Sequence, residues 1–405
     1  MRIALFFNVP SGGAKRTIYE AIKRLSTRHH IDVFTFTTAN HEFADIRPFV
    51  QDYHIFEYHP SRLLSSPFGR LNNGLRMLDI RRMNQQSKDV AQKISDGSYD
   101  VVYVQPCQIT QSPLLLQHLP TTPTVYYLQE PPRAIYETKP IRPYYKNYGA
   151  GWRAKIDAID PLRKNYEKII QDVDLKNTRR ANKVLVNSKY IREVVRNIYQ
   201  IDASVSYHGV DVEMFRVMDA EKKDMVLSVG SLTPLKGFDF LIQSVSLIDS
   251  KTRPSLAIAS NFQVHEEKLY LEELAGRLGV ELVLLNNISD RDLVNLYNSA
   301  RVTVYAPIRE PFGLVSLESM ACGTPVVAVR EGGVQEAVIH KQTGIVVDRD
   351  PAQFAEAIQS LLADPALAAS YGHNGREHVV NQWSWDRAID QLETYLLGSV
   401  KNQEN

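Results

Sequence analysis

Short apolar runs alternate along this chain with segments whose apolar residues recur at helical spacing. In the first half, the apolar runs predict strands at Arg2–Phe7, Ile31–Thr37, Asp100–Val104, Thr124–Leu128 and Lys183–Asn187. In the second half, they predict strands at 225–229, 256–259, 281–285, 301–306, 325–329 and 344–347. The helical spacing between these later strands predicts amphipathic helices at Phe238–Ile248, Glu266–Leu278 and Arg291–Ala300.

Buried strands that alternate with helices are typical of parallel sheets covered on both faces. We therefore predict an α/β protein with two doubly wound, Rossmann-like domains that face a cleft. The domains are expected at residues 1–208 and 209–383. A polar final helix follows at 384–405, and the pattern leaves its placement open, a return to the first domain included. Ligands of such sheets bind in the crevice at the carboxyl ends of the strands.

Composition excludes several classes of protein. Among 405 residues, 44% are hydrophobic and 23% are charged, which is typical of a folded globular chain. Two cysteines, Cys107 and Cys322, are too few for a disulfide framework or a four-cysteine zinc site. No apolar run approaches the roughly 18 residues that span a bilayer, so we expect a cytoplasmic protein.

Charge is distributed unevenly between the two halves. Residues 1–210 hold 30 Lys and Arg against 19 Asp and Glu, and the remainder holds 17 against 27. The halves therefore carry +11 and −10, although the whole chain carries only +1. Such asymmetry indicates separate domains with separate partners.

The stretch with most chemical information is residues 301–333, RVTVYAPIREPFGLVSLESMACGTPVVAVREGG. A predicted strand ends near Ala306, and a helix begins at Phe312-Gly313, so Glu310 lies in the loop between them. Free N–H groups in the first turn of that helix can donate to phosphate or sugar oxygens. Glu318 lies about one and a half turns into the helix, where a carboxylate can accept from two neighbouring hydroxyls. The pattern favours a ligand rich in hydroxyl groups.

These residues resemble a family signature. The pair of glutamates in EPFGLVSLE, the following ESMACGTPVVA and the GG turn resemble the nucleotide-sugar signature of the family 4 retaining glycosyltransferases, which have the GT-B fold. Gly12-Gly13 before a helix, Gly209-Val210-Asp211 with Phe215, and the segment 229–237 that ends in Lys-Gly resemble further motifs of that family. The similarity covers most of the chain.

The resemblance implies a role for each matching residue. Glu310 would contact the transferred sugar and Glu318 the ribose, while Lys236 would bind the diphosphate. Backbone groups of the helix start and of the glycine loop would contact the sugar and phosphates; these residues are Phe312, Gly313, Leu314, Gly12 and Gly13. The first domain would then bind the acceptor and the second the nucleotide sugar. A fixed ammonium and helix N–H groups stabilise a departing diphosphate, so neither a metal nor a cofactor is expected.

Two positions depart from the family pattern. Ser231 stands where the family usually has an arginine, so one diphosphate-binding cation is missing, and Arg309 is a candidate replacement. Gln129 stands where the family usually has a histidine, in YLQEPPR. A glutamine can hydrogen-bond a sugar hydroxyl, but it cannot titrate. The leaving phosphate would then have to take the proton of the acceptor.

The segment 133–155 follows directly and combines six Lys and Arg with aromatic residues. It is expected to contact an anionic membrane surface or an anionic lipid-linked acceptor through Arg133, Tyr136, Arg142 and Trp152. An ordinary solvated loop is the alternative. The spread charge and near-neutral total argue against nucleic acid. The D-x-D sequence Asp172-Val-Asp174 is interpreted as part of a solvated helix face.

We therefore expect a retaining glycosyltransferase that moves a hexose from a nucleoside diphosphate sugar to a hydroxyl acceptor without a metal. Glu310, Lys236 and Gln129 are the predicted catalytic residues. It would be cytoplasmic, with peripheral binding to the inner face of the membrane as an option. Two alternatives stay open: a non-catalytic nucleotide-sugar-binding or scaffold protein, and a nucleotide-sugar 2-epimerase, which should lack the EPFG helix start.

Overall fold

A computed structural model describes residues 1–65, 68–119, 121–138, 140–144 and 160–401. The amino-terminal half folds around a seven-stranded sheet with parallel pairing and the order β3-β2-β1-β4-β5-β6-β7. Its strands are β1 Arg2–Asn8, β2 His30–Phe36, β3 Tyr53–Phe56, β4 Val101–Cys107, β5 Thr124–Tyr127, β6 Lys183–Val186 and β7 Ser204–Val205.

The carboxyl-terminal half folds around a second parallel sheet, with six strands in the order β10-β9-β8-β11-β12-β13. Its strands are β8 Met225–Val229, β9 Ser255–Ser260, β10 Leu282–Asn286, β11 Val302–Tyr305, β12 Val326–Val329 and β13 Gly344–Val347. In both sheets the strand order reverses at one point, between β1 and β4 and between β8 and β11. A reversal of this kind opens a crevice for ligands.

Helices cover both sheets. In the first half they are α1 Gly13–Leu25, α2 Asn72–Ser95, α3 Arg133–Tyr136, α4 Pro161–Thr178 and α5 Lys189–Tyr199. In the second half they are α6 Phe238–Ser246, α7 His265–Leu278, α8 Asp290–Ser299, α9 Leu314–Ala321, α10 Val334–Ala337, α11 Pro351–Ala363, α12 Pro365–Gln382 and α13 Trp385–Lys401. Short 3-10 turns lie at 47–49, 68–71, 114–117 and 234–236.

Each sheet has an apolar layer on both faces, because side chains along a strand point alternately to opposite sides. On β1, Ile3, Leu5 and Phe7 pack into one buried cluster, whereas Ala4 and Phe6 pack into another. The second sheet repeats this arrangement along its own central strands. Continuous apolar runs, rather than alternating ones, are the sequence pattern that such doubly covered strands produce.

The chain passes between the domains twice, near Val210 and near Trp383, and the two passages lie side by side. The Val210 N–H donates to the carbonyl of Trp383 at 2.8 Å. A Cβ atom on Gly209 would lie 2.5 Å from the Cα of Trp385, so this position has room only for glycine. The final helix then returns to the amino-terminal domain and buries Trp385, Ile389 and Leu396 against the face that carries Ile3 and Leu5.

The structure departs from the expected elements at three places. The edge strands Tyr53–Phe56 and Ser204–Val205 were not predicted. The interpretation of Asp174 as part of a solvated helix face is wrong, because this side chain is fully buried. Asp174 accepts hydrogen bonds from the hydroxyls of Tyr199 at 2.6 Å and Tyr136 at 3.1 Å. Burial raises the pKa of Asp174 to about 6.

Candidate active site

The predicted site residues follow the strands that flank the two reversal points. Gly12 and Gly13 follow β1 in the first sheet. In the second sheet, Lys236 follows β8 and Glu310 follows β11. Because both crevices open at the carboxyl ends of parallel strands, these residues lie on the two sides of one interdomain cleft.

Lys236 and Glu310 form an ion pair in this cleft. The Lys236 ammonium donates to Oε2 of Glu310 at 2.9 Å. Their side chains are 24% and 16% exposed, so the pair is shielded but open to a ligand. The opposite charges hold the two groups next to each other. A phosphate oxygen can compete with the carboxylate for the ammonium, and a sugar hydroxyl can donate to the carboxylate.

Gly237 determines where Lys236 lies. The lysine ends the short turn 234–236, and Gly237 continues it with a φ of 65°. A Cβ atom at Gly237 would lie 2.1 Å from the carbonyl oxygen of Ala306, at the end of β11. The turn therefore packs directly on the neighbouring strand, and only glycine permits this approach. This contact brings Lys236 to the loop that carries Glu310.

The loop with Glu310 is fixed from behind by the GG turn. The Gly333 N–H donates to the carbonyl of Glu310 at 2.8 Å. A Cβ atom at Gly332 would lie 2.2 Å from that same carbonyl oxygen. Arg349 holds the start of the loop, since its guanidinium donates to the carbonyls of Ala306 at 3.1 Å and Pro307 at 2.8 Å. The carboxylate of Glu310 is thus carried by a well-supported backbone.

The helix Leu314–Ala321 begins beside Glu310, as its sequence predicts. Gly313 precedes it with a φ of 98°, and the first N–H groups of a helix have no partner inside it. The Phe312 side chain is buried and packs against the rings of Tyr207, His208 and Trp383. Phe312 therefore offers only its backbone to the cleft, which is the contact that the resemblance implies.

Glu318 lies on the same helix and is half-buried. Its Oε2 accepts a hydrogen bond from the hydroxyl of Tyr297 at 2.8 Å. Burial raises the pKa of Glu318 above its usual value, against the opposing effects of Tyr297 and of the Arg16 cation. Tyr297 was not recognised from the sequence, because it precedes Glu318 by 21 residues and is part of another helix.

The amino-terminal side of the cleft carries the glycine loop and Gln129. No heavy atom of the described chain, apart from chain neighbours and the helix's own backbone, lies within 4 Å of a Cβ built on Gly12 or Gly13. The Gln129 amide donates to the hydroxyl of Thr17 and to the side-chain oxygen of Gln105, both at 3.3 Å. Both hydrogen bonds are long, so a ligand can compete with them. The predicted contact of Gln129 with a sugar hydroxyl stays a prediction.

Glu130 adds a titrating group that the sequence reading did not assign. Burial above all, together with the Glu310 carboxylate, raises the pKa of its carboxyl to about 7. The positive charges of Arg133 and Lys236 lower this pKa. Glu130 is therefore close enough to the Lys236–Glu310 pair to be affected by the charges of both its members. Its backbone is fixed, because Gln111 donates to the Glu130 carbonyl at 2.8 Å. A carboxyl of this kind exchanges its proton near neutral pH.

Arg309 does not replace the arginine that the family usually has at the position of Ser231. The Ser231 hydroxyl lies 3.5 Å from the hydroxyl of Thr233. The Arg309 side chain is directed toward the amino-terminal domain, with its Nε 4.0 Å from Oε2 of Glu137. Lys236 is therefore the cation that the structure places beside Glu310.

Several polar contacts join the domains around the cleft. Arg16 pairs with Asp290 at 2.7 Å, and the Ser188 hydroxyl donates to the carbonyl of Pro311 at 2.6 Å. The Glu336 carboxylate accepts from the backbone N–H groups of Lys189 and Tyr190 at 3.0 and 2.9 Å. Glu336 thus caps an amino-terminal-domain helix from the other domain. These contacts describe a closed arrangement of the two domains.

The residues expected at an acceptor or membrane surface have other contacts. Arg142 is only 4% exposed and is paired with carboxylates of the carboxyl-terminal domain. Arg133 donates across the cleft to the carbonyl of Ile308 at 2.7 Å. Tyr136 is half-buried and donates to Asp174. Exposure on a membrane face is therefore wrong for Arg142, because its guanidinium is buried. Trp152 lies outside the described residues.

In the part of the chain that the structure describes, no group of three or more His, Cys, Asp or Glu side chains could hold a metal ion. No helix in the same part of the chain is long and apolar enough to cross a membrane.

Comparison with protein families identifies both domains. The model described as Glycosyltransferase Family 4 matches residues 11–214, about half of the chain. The model described as Glycosyl transferases group 1 matches residues 211–378. The chain belongs to glycosyltransferase family 4. The resemblance stated from its motifs is confirmed, and the two matches meet where the chain first passes between the domains of this glycosyltransferase.

Curated relatives are similar over part of their length. An uncharacterized glycosyltransferase of Methanocaldococcus jannaschii is 33% identical over 57% of this chain and 64% of its own. The alpha-1,3/1,6-mannosyltransferase ALG2 of Mus musculus is 28% identical over 59% of this chain and 64% of its own. A D-inositol 3-phosphate glycosyltransferase of Salinispora arenicola is 36% identical over 42% and 40%. The matched part thus spans less than two thirds of these relatives.

Solved structures confirm the predicted GT-B fold of this glycosyltransferase. Sucrose-phosphate synthase from Thermosynechococcus elongatus superimposes with a TM-score of 0.72 at 21% identity, over 97% of this chain and 98% of that one. Anabaena HepE in complex with UDP and glucose gives a TM-score of 0.70 at 18% identity, over 98% and 100%. At these identities the likeness extends to the fold alone.

Proposed function

We propose that this glycosyltransferase moves a hexose from a nucleoside diphosphate sugar to a hydroxyl acceptor, with retention of the anomeric configuration. The observation that carries the proposal is the Lys236–Glu310 ion pair at the start of the helix Leu314–Ala321. This arrangement puts a cation, free N–H groups and a carboxylate at one point of the cleft. A diphosphate joined to a sugar needs these three kinds of partner.

Lys236 would change partner when the donor binds. A diphosphate oxygen takes the place of the Glu310 carboxylate on the ammonium, and the released carboxylate accepts from a hydroxyl of the sugar. The negative charge on the diphosphate grows as the bond to the sugar breaks. A fixed ammonium therefore stabilises the transition state more than the bound donor.

The transfer then conserves atoms and charge. The bond between the anomeric carbon and the phosphate oxygen breaks, and its electron pair stays with the diphosphate. The acceptor oxygen forms the new bond on the same face of the sugar and gives its proton to the departing phosphate oxygen. Gln129 orients a hydroxyl in this step, since an amide cannot act as acid or base at neutral pH. Lys236 and the helix start would stabilise the charge that develops on the diphosphate, so we propose a reaction without a metal.

Relatives support the donor class. HepE of Anabaena was solved with UDP and glucose and also with UDP-glucose. The mouse relative is a mannosyltransferase, and others act as D-inositol 3-phosphate glycosyltransferases. These names favour a hexose donor on a nucleoside diphosphate. They point to different acceptors, so the acceptor of this chain is assigned here only as a hydroxyl compound.

A thermal-shift panel tests the donor class first. The unfolding temperature should rise with one nucleoside diphosphate and with its sugars, because a ligand of the native state stabilises it. Uridine and guanosine diphosphates and their glucose and mannose derivatives form the panel. No shift with any of them would contradict the proposal.

Turnover is the second readout. The donor that binds should lose its sugar to an acceptor, or slowly to water, in buffer with or without EDTA. Loss of turnover in EDTA would overturn the metal-independent part alone. Saturable binding without transfer or hydrolysis would favour a binding module, and conversion of the free sugar at carbon 2 would favour the epimerase.

We further propose that the acceptor is reached at a lipid surface through residues 62–65 and 71–82. Four leucines on this segment are between 42% and 53% exposed, namely Leu63, Leu64, Leu71 and Leu78. Exposed arginines lie among them at positions 62, 76, 81 and 82. Exposed leucines beside cations fit an anionic membrane, and each cation near such a surface contributes about 1 kcal/mol. This segment, rather than Arg142, is the surface proposed for peripheral binding.

Liposome sedimentation tests this surface. Binding to vesicles with phosphatidylglycerol should weaken as salt rises, and vesicles of phosphatidylcholine alone should bind less. Replacing Arg81 and Arg82 by glutamine should lower the binding, while Arg330→Gln on the other domain should not. Equal binding to both kinds of vesicle would contradict the proposed surface.

A further inference from the structure

Arg142 belongs to the amino-terminal domain by sequence but is bound by the carboxyl-terminal domain. It follows β5 and precedes α4, which are elements of the first domain. Its guanidinium nevertheless contacts Pro234, Asp239 and Glu267, which all belong to the second domain. The segment around Arg142 therefore reaches across the cleft.

All three nitrogens of the Arg142 guanidinium donate hydrogen bonds. Its Nε donates to Oε2 of Glu267 at 2.9 Å, and its Nη1 donates to Oδ2 of Asp239 at 3.0 Å. Its Nη2 donates to the Pro234 carbonyl at 3.0 Å, to Glu267 Oε1 at 3.0 Å and to Asp239 Oδ1 at 3.1 Å. The planar group thus bridges two carboxylates and one backbone carbonyl, an arrangement that a lysine cannot reproduce.

The two carboxylates are provided by helix starts. Asp239 lies in the first turn of the helix Phe238–Ser246, and Glu267 lies in the first turn of His265–Leu278. A negative charge is favourable at both positions. Glu267 is completely buried, so the loss of Arg142 alone would leave a buried charge without its cation. The Tyr144 hydroxyl completes the site by donating to Glu267 at 2.6 Å.

The contact with Pro234 links Arg142 to the donor site. Pro234 begins the three-residue turn that ends in Lys236, and this turn is followed at once by the helix that carries Asp239. Arg142 therefore binds both the beginning of the turn and the helix after it. Lys236, between these two anchor points, pairs with Glu310.

We infer that Arg142 is a positioning residue for the donor diphosphate: from the other domain, it fixes the turn that places Lys236. The packing of Gly237 on the Ala306 carbonyl supports this turn within its own domain, and Arg142 adds a second anchor that is present only when the domains are together. Closure of the cleft and binding of the diphosphate are thereby coupled. This inference rests on the proposed function, since it assigns the diphosphate to Lys236.

Diphosphate and nucleoside binding separate this role from a purely structural one. Arg142→Met with Glu267→Gln removes the two most buried charges together and leaves only the partly exposed Asp239 without its cation. This double variant should bind the preferred nucleoside diphosphate, UDP or GDP, about tenfold more weakly than the wild type does. Binding of the corresponding nucleoside, uridine or guanosine, should not change. Arg142→Lys should have an intermediate effect, because it keeps the charge and loses the fork.

A double-mutant cycle gives the decisive comparison. In a Lys236→Met background, the change at positions 142 and 267 should have no further effect on UDP or GDP affinity, because its effect acts through Lys236. The matched control is Arg330→Gln, which removes an exposed ion pair with Asp348 in the domain that carries Lys236. This variant should bind UDP or GDP as the wild type does.

The outcomes are distinct. Equal weakening of diphosphate and nucleoside, or a full effect in the Lys236→Met background, would overturn the inference and leave the proposed function intact. Wild-type affinity in the double variant would do the same. A wild-type protein that binds neither UDP nor GDP would contradict the proposed function itself. Circular dichroism and the unfolding temperature establish that each variant is folded before its affinity is compared.

Discussion

On the carboxyl-terminal side of the cleft, the backbone behind Lys236 and Glu310 is packed without spare room, whereas the loop Gly12-Gly13 on the other side faces open space. A Cβ atom at Gly237 or Gly332 would lie 2.1 or 2.2 Å from a carbonyl oxygen. The glycines on the two sides therefore serve different purposes. Those of the second domain build the site, and those of the first leave room for what binds there.

This difference agrees with a division of tasks. A donor with fixed charge benefits from a preorganised cation and carboxylate, since no reorganisation is then needed during reaction. The amino-terminal side gives its contacts through long bonds, such as the two at 3.3 Å from Gln129. Substitutions on the two sides should thus affect different quantities.

The largest effect is expected for the ion pair itself. Lys236→Ala or Glu310→Ala should lower the transfer rate by about 10²-fold or more, because each removes a preorganised charge at the diphosphate or sugar. Initial rates at saturating donor measure this loss. The matched controls are Lys268→Ala and Glu272→Ala, which remove an exposed Lys–Glu pair of the same domain. Near wild-type rates in Lys236→Ala would contradict the assignment of the site.

Gly237→Ala should have the next largest effect, and it should act on stability. The new methyl group would meet the Ala306 carbonyl, and the φ of 65° disfavours any side chain. We expect a loss of about 2 to 4 kcal/mol in the free energy of unfolding. Urea denaturation measures it. A change below about 0.5 kcal/mol would show that the turn does not pack on β11 as described.

Glu130→Gln should change how stability depends on pH. The folded protein holds this proton up to about pH 7, whereas an ordinary glutamate releases it near 4.5. The wild type therefore loses stability between these pH values as pH rises, by about 1 to 3 kcal/mol. The variant lacks this loss, so its advantage over the wild type should be greater at pH 8 than at pH 5. Denaturation at both pH values measures it, and an unchanged difference would place Glu130 in water.

Gly13→Ala should have the smallest effect on stability and sharpens the contrast with Gly237→Ala. No neighbouring atom obstructs the methyl group, and alanine favours the first turn of the helix. The free energy of unfolding should change by less than about 1 kcal/mol, either way. Affinity for the nucleotide sugar should nevertheless fall, because the methyl group occupies the approach to the diphosphate. Unchanged affinity in titration calorimetry would remove the glycine loop from the donor site.

Local patterns were sufficient for the elements that carry the donor site. The central strand Met225–Val229 has the predicted limits, since a nearly continuous apolar run marks a strand covered on both faces. Gly344–Val347, at the edge of the same sheet, also has the predicted limits, because its sequence is apolar throughout. The edge strand Tyr53–Phe56 was missed because it is only partly buried, with Ile55 47% exposed. An edge strand of this kind lacks the apolar pattern of the centre.

Contacts between distant residues were not accessible from the sequence. Arg142 looked like part of a basic surface segment, and its carboxylate partner Glu267 lies 125 positions away. Glu336 was part of no recognised motif, although it caps a helix of the other domain. Asp174 was taken for a solvated residue because the aromatic hydroxyls that bind it come from other segments. The pairings of Arg142 and Glu336 depend on how the domains face each other, and that of Asp174 depends on how separate segments of the first domain pack. No local pattern encodes either.

The position of a bound nucleoside diphosphate tests the central claim most directly. A crystal structure with UDP or GDP should show a phosphate oxygen within hydrogen-bonding distance of Lys236 Nζ, the other phosphate at the start of the helix Leu314–Ala321, and the ribose hydroxyls at Glu318. A nucleotide bound outside the cleft, or bound in it with the diphosphate away from Lys236, would contradict the account.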